Sequence, residues 1–122
     1  MTLITPTGSR AVSYQPRAGR RCAAVWINGR TASLGLIDES GEVLMCSIER
    51  GLAPELAYLA IVVRAIGERE RVVILGPSSM RLALEREYVA IHHRPERLVD
   101  VEPAGALDPN ELVRRVRELA VT

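Results

Sequence analysis

The sequence contains no lysine, no phenylalanine and a single glutamine, Gln15. Trp26 and the three tyrosines are its only aromatic residues, which leaves few platforms for stacking on bases or sugars. The two cysteines, Cys22 and Cys46, form no C-x-x-C pair and have no histidine pair beside them, so a zinc or dithiol redox motif is excluded. They read instead as small buried apolar residues of a reducing compartment. No apolar run reaches the ~20 residues needed to span a bilayer. The first residues, with Pro6, Gly8, Arg10 and Pro16, carry no apolar signal core. The expected location is the cytoplasm, with no membrane partner and no small-molecule cofactor.

What is present suits one globular domain. The chain has 122 residues, 48% hydrophobic and 25% charged, enough to build a core without metals or disulfides. All 16 basic residues are arginine. Arginine makes planar bidentate contacts with phosphate, although a codon bias is the simpler account of its exclusive use. The formal net charge of +1 hides an asymmetry: residues 1–37 hold five arginines and no acid, whereas residues 38–122 hold the other eleven and all 15 acids. A basic leader on a mildly acidic body is an electrostatic handle for RNA or another polyanion, or simply a solvated segment.

Residues 1–20 lack hydrophobic periodicity and read as a flexible arm, with one α/β domain over residues 21–122. Cys22–Ile27 is short and apolar, a strand buried on both faces. Asn28-Gly29 is a hairpin signal, Thr31–Ile37 alternates as a second strand, and residues 38–41 make a turn into a third strand over 42–48. Residues 55–66 form a nearly all-apolar helix that starts after Pro54 and ends at a Gly67 cap. Val72–Leu75 is a short strand, Gly76-Pro77 a turn, and Ser78 caps a helix over about 79–91. Leu98–Val101 is a fifth strand. Asp108-Pro109-Asn110-Glu111 opens a last helix with Leu112, Val116, Leu119 and Ala120 on one face. The order β-β-β-α-β-α-β-α requires right-handed crossovers in its second half. It predicts an α/β fold with a mixed five-stranded sheet and helices on both faces, the ribonuclease-H-like arrangement.

The stretch Val72-Val-Ile-Leu-Gly-Pro-Ser78, with Tyr88, Ile91-His-His93, Arg97-Leu-Val-Asp-Val101 and Asn110-Glu-Leu-Val113, resembles the middle domain of archaeal and eukaryotic peptide-chain release factors. Pelota-type ribosome-rescue proteins and small bacterial translational-machinery proteins look similar. The hairpin Val25-Trp-Ile-Asn-Gly-Arg30 and the segment Leu34–Val43 fit the same family's opening, so the resemblance spans roughly residues 22–120. It implies a translation-linked binding domain that contacts the ribosome, a tRNA or another RNA. Release factors of this family hydrolyse peptidyl-tRNA with a Gly-Gly-Gln loop between the third strand and the first helix. Here that place is held by Glu49-Arg-Gly-Leu-Ala-Pro54, which contains no glutamine, so the resemblance implies a non-catalytic member.

The candidate site residues follow. Arg10, Arg17, Arg20, Arg21 and Arg30 are the candidate nucleic-acid contacts. Gly76, Ser78 and Ser79 lie where a strand passes into a helix, the place where anions bind in open α/β sheets, although helix capping alone accounts for them. His92 and His93 read as helix-end histidines that complement the C-terminal dipole beside Arg94, or else as a binding pair that echoes the family's histidine pair. Neighbouring helical positions point about 100° apart, so both gripping one metal is not expected. The hairpin also looks like the first strand of ribonuclease-H-type nucleases and of actin-like kinases. Those families place a metal-binding Asp where this chain has Asn28, which leaves Asp38, Glu49, Asp100 and Glu102 an incomplete set. No catalytic and no metal-binding residue is therefore assigned, and a degenerate ribonuclease-H-like nuclease is the least favoured of the readings. The remaining alternative is a protein-interaction module, a homodimer built on the third strand or on an exposed apolar helix face, with no RNA role.

Overall fold

The computed structural model describes residues 20–121. Its elements are β1 (Cys22–Ile27), β2 (Thr31–Ile37), β3 (Val43–Glu49), α1 (Glu55–Ile66), β4 (Arg71–Gly76), α2 (Met80–His92), β5 (Leu98–Pro103) and α3 (Pro109–Val121), with a short 3-10 turn at Pro95–Arg97 before β5. They form one five-stranded sheet in the order β3-β2-β1-β4-β5. β1 pairs antiparallel with β2 and parallel with β4, β2 pairs antiparallel with β3, and β4 pairs parallel with β5. This is the mixed α/β sheet, covered on both faces, that the order of elements predicts.

The central strand is apolar throughout because both of its faces are covered. Ala23, Val25 and Ile27 point into a core with Tyr58, Leu59 and Val62 of α1 and Leu84 and Tyr88 of α2. Cys22 and Ala24 point the other way, towards Leu112, Val116 and Leu119 of α3. Burying each of these Val, Leu or Ile side chains contributes roughly 1.5–3 kcal/mol. Cys22 is fully buried, but Cys46 is only half-buried because it lies on the edge strand β3.

Local chemistry sets the boundaries. Gly67 ends α1 at a φ of 66° with its N–H donated to Val63 O at 3.1 Å. The expected cap at Ser78 falls one residue later: α2 starts at Met80 and Ser79 precedes it with no side-chain cap bond, while the Ser78 hydroxyl accepts from Met80 N at 3.3 Å. The third strand also shifts by one, from 42–48 to Val43–Glu49. Asp38 and Ser40 draw Glu42 into the turn, where its N–H donates to Ser40 Oγ at 3.3 Å. The β1–β2 hairpin forms as expected, by a different device. Neither Asn28 nor Gly29 has a positive φ. The Asn28 Oδ1 instead accepts from both Arg30 N and Thr31 N at 2.9 Å, so the side chain closes the turn.

Candidate binding surface

β1, β3, β4 and β5 run in one direction, so their carboxyl ends share one edge of the sheet. That edge carries the 28–30 hairpin, the 50–54 loop and the Gly76–Ser79 turn. Open α/β sheets bind their ligands at this end. An open cleft of about 470 Å³ lies here, lined by Gly29, Arg30, Glu49, Arg50, Gly51 and Leu52, with Ala53 at its side.

Arg50 holds the cleft together. Its main-chain N–H donates to Arg30 O at 2.9 Å, its Nε to Ala53 O at 2.8 Å and its Nη1 to Gly29 O at 3.2 Å. The guanidinium lies 5.8 Å from the centre of the Tyr58 ring, a cation–π distance. Burial pushes the Tyr58 phenol up to about 12, against the pull of Arg50. Tyr58 therefore stays protonated and donates to Asn28 O at 3.1 Å. One arginine and one tyrosine thus tie the hairpin to the β3–α1 loop, leaving Leu52 wholly exposed at its tip and Arg30 exposed beside it. Sequence reasoning missed Arg50. Only its place in the loop between the third strand and the first helix pointed towards it.

The Gly76–Ser79 turn sits on the same edge, next to Gly29, where an added Cβ would meet the Met80 side chain at 3.8 Å. Gly76 is explained by packing, since a Cβ there would collide with the Ile27 carbonyl oxygen. The Ser78 carbonyl accepts from Arg81 Nη1 at 2.7 Å, which folds an arginine over the start of α2. Arg81 is a second basic residue on this edge that sequence reasoning did not single out.

The other predicted residues lie elsewhere. Arg10 and Arg17 lie outside the described residues. Arg20 and Arg21 flank the start of β1, at the end of the sheet opposite Arg30, separated from it by a strand of about 20 Å. Arg20 Nε stands 3.9 Å from Glu70, and Arg21 donates to Glu68 O at 2.7 Å with Glu39 at 3.9 Å. Among the described residues, Arg20 and Arg21 therefore do not share a patch with Arg30.

His92 and His93 separate at the end of α2. His92 turns inward against the Tyr88 ring, centroids 4.7 Å apart, with Nδ1 3.7 Å from Glu68 Oε2. The same Glu68 accepts from Arg97 Nη1 at 3.0 Å, which holds its carboxyl below the usual range. His93 takes a left-handed φ of 55°, caps the helix through Val89 O at 2.9 Å and is exposed.

The nuclease-type carboxylates do not converge. Asp38 lies at the opposite end of β2 from the Thr31–Glu49 pair and caps its own turn through Ser40 N at 2.9 Å. Glu102 forms a two-pronged pair with Arg115 of α3, at 3.1 and 2.7 Å. The Asn28 carboxamide oxygen is already taken by two main-chain N–H groups. Among the described residues, no cluster of three or more His, Cys, Asp or Glu is placed to hold a metal ion, and no helix is long and apolar enough to cross a membrane.

Neither a family model nor a curated protein sequence matches the chain. Solved structures with the same fold include Pelota of Archaeoglobus fulgidus, at a TM-score of 0.62 and 11% identity over 84% of this chain and 34% of that one. Pelota of Thermoplasma acidophilum gives 0.59 and 22% identity over 79% of this chain and 31% of that one. Dom34 of S. cerevisiae, described as a translation termination-like factor involved in RNA quality control pathways and interacting with Hbs1, gives 0.51 and 10% identity over 79% and 36%. The chain thus spans about a third of the length of each of these proteins, and at these identities the likeness is one of fold.

Proposed function

We propose that the chain is a non-catalytic, cytoplasmic binding module of the release-factor middle-domain type that contacts the ribosome, a tRNA or another RNA. The observation that carries this reading is the fold shared with Pelota and Dom34. The character of the β3–α1 loop supports it. Where the resembled release factors carry Gly-Gly-Gln, this chain has Arg50-Gly-Leu-Ala53, clamped by Arg50 and without a side chain to position a water. The arginine-rich residues 1–37 supply positive charge for phosphate, with Arg20 and Arg21 at one end of β1 and Arg30 at the other.

The test is sedimentation of the purified protein with ribosomes through a sucrose cushion at low and moderate salt, for the full chain and for a chain lacking residues 1–19. The reading expects the full chain to pellet with ribosomes at low salt, less of it as salt rises, and far less of the shortened chain. A full chain that stays in the supernatant at low salt would reduce the likeness to one of fold alone.

A further inference from the structure

We propose that β3 is a dimerisation edge, pairing antiparallel with β3 of a second copy of this chain in a register centred on Cys46. The inference is independent of any RNA role.

Among the described residues the sheet has two edge strands, β3 and β5, and they differ in how they guard themselves. β5 carries Asp100, Glu102 and a terminal Pro103, and its pairing with β4 has a register shift between Val72 and Val73. Charges, proline and irregular register are the devices by which natural edges avoid adding strands. β3 has neither proline nor a register break, and its one charge is the last residue, Glu49: Val43-Leu-Met-Cys-Ser-Ile48 is uncharged and the strand pairs with β2 throughout. It also exposes apolar side chains on both faces. Leu44 lies on the α1–α2 face and is 65% exposed, whereas Met45 lies on the α3 face and is 40% exposed. A strand added alongside would border both.

The hydrogen-bond phase of β3 can be read from its end. Thr31 faces Glu49, and Arg50 N donates to Arg30 O at 2.9 Å, one residue beyond on each strand. That makes Thr31–Glu49 a non-hydrogen-bonded pair and Ala32–Ile48 a hydrogen-bonded one. By alternation, the N–H and C=O groups of Leu44, Cys46 and Ile48 point at β2, and those of Val43, Met45, Ser47 and Glu49 point outward.

An antiparallel pairing of β3 with its own copy about Cys46 fits this phase. It sets Met45 opposite Ser47 and Val43 opposite Glu49 of the second copy, so all four outward-pointing residues find hydrogen-bonding partners along the whole strand. Leu44 falls opposite Ile48 of the second copy on the α1–α2 face. One residue beyond each end, Glu42 falls opposite Arg50 of the second copy, an opposite-charge pair repeated by the twofold. No two like charges face each other. This self-complementarity selects a second copy as the occupant, and the result is one continuous sheet of twice the width. Cys46 then meets its symmetry mate in a non-hydrogen-bonded pair, with Cα atoms about 4.5 Å apart, within the span that a disulfide bridges.

Sedimentation equilibrium of the full chain across the micromolar range tests the dimer, and diamide oxidation tests its register. Diamide accepts the two electrons and two protons as the two Cys46 thiols join. A covalent dimer on non-reducing gels is expected from the wild type and from Cys22→Ser, and none from Cys46→Ser. Ser47→Pro removes an outward N–H without touching the β2 ladder and should weaken the dimer about tenfold or more. Glu42→Arg alters only an exposed turn residue, keeps the fold, and should weaken the dimer by setting two arginines face to face at each end. A chain that is monomeric throughout overturns the proposal. So does a dimer that ignores both variants and yields no Cys46 cross-link.

Discussion

Gly76 closes against Ile27 so tightly that any side chain at position 76 would strike the Ile27 carbonyl oxygen. The glycine therefore serves the β1–β4 contact at the carboxyl edge, where the Gly76–Ser79 turn is a candidate anion site. Gly76→Ala should force a main-chain shift and lower stability by about 1–3 kcal/mol, with the larger values expected because the obstacle is backbone. Urea unfolding followed by circular dichroism measures this. A variant within a few tenths of wild type would show that the two strands part easily.

Arg50 joins two carbonyl groups that are distant in sequence, Gly29 O and Ala53 O, and packs on Tyr58. Arg50→Met keeps most of the stem and removes the fork, leaving both carbonyls to solvent. The expected loss is about 1–2 kcal/mol, accompanied by faster amide exchange in residues 50–54. Arg50→Lys should recover only part of it, because a single ammonium cannot reproduce the planar two-sided geometry. Equal stability of all three proteins would show that the loop is held by its main chain alone.

The fold was legible because its signals are local and redundant. The unbroken apolar run Cys22–Ile27, the twelve-residue segment closed by Gly67 and the Asp108-Pro109 helix start each fixed an element within a residue or two. The misplacements, at Glu42 and at Ser78, are competitions between a side-chain hydroxyl and the next element for the same N–H. The site was far less legible. Nothing local says that Arg50 reaches back to Gly29, that His92 turns inward while His93 turns out, or that Arg20 and Arg30 sit at opposite ends of one strand. These relations belong to strand pairing, which joins residues remote in sequence. In the sequence Asn28 stands out only as the residue in place of a metal-binding Asp; in the structure it is the acceptor that closes the first hairpin.

The two-pronged Arg115–Glu102 pair ties α3 to β5. Hydrogen bonds from Arg115 hold the Glu102 carboxyl below its ordinary 4.5. A group with a depressed folded value contributes stability above the unfolded value and loses it as pH falls through the folded one. The pair should therefore help fully at neutral pH and progressively less below about 4.5. Both side chains keep about a third or less of their exposure, at 28% and 32%, so solvent screening limits the effect to about 1 kcal/mol. Arg115→Met should lower the urea midpoint at pH 7 and converge on wild type in acid. A constant gap at all pH values would assign the loss to packing of the arginine stem.

The proposed RNA contact carries its own electrostatic signature. Each phosphate neutralised on a single strand adds roughly −0.7 to the slope of log affinity against log salt, so five engaged arginines predict about −3.5. The ion pairs of Arg20 and Arg21 with Glu70 and Glu39 are exposed and long; such pairs are worth little and would yield to phosphate. Replacing Arg10, Arg17, Arg20 and Arg21 together with Gln should flatten the slope almost completely in a fluorescence titration with tRNA. Arg30→Gln alone separates two geometries. A loss of about 0.7 in slope means that the RNA runs the length of β1 from its start to the cleft. An unchanged slope confines the contact to the amino-terminal end and leaves the Arg50 loop to another partner. A salt-independent affinity in the wild type would remove the electrostatic basis of RNA binding altogether.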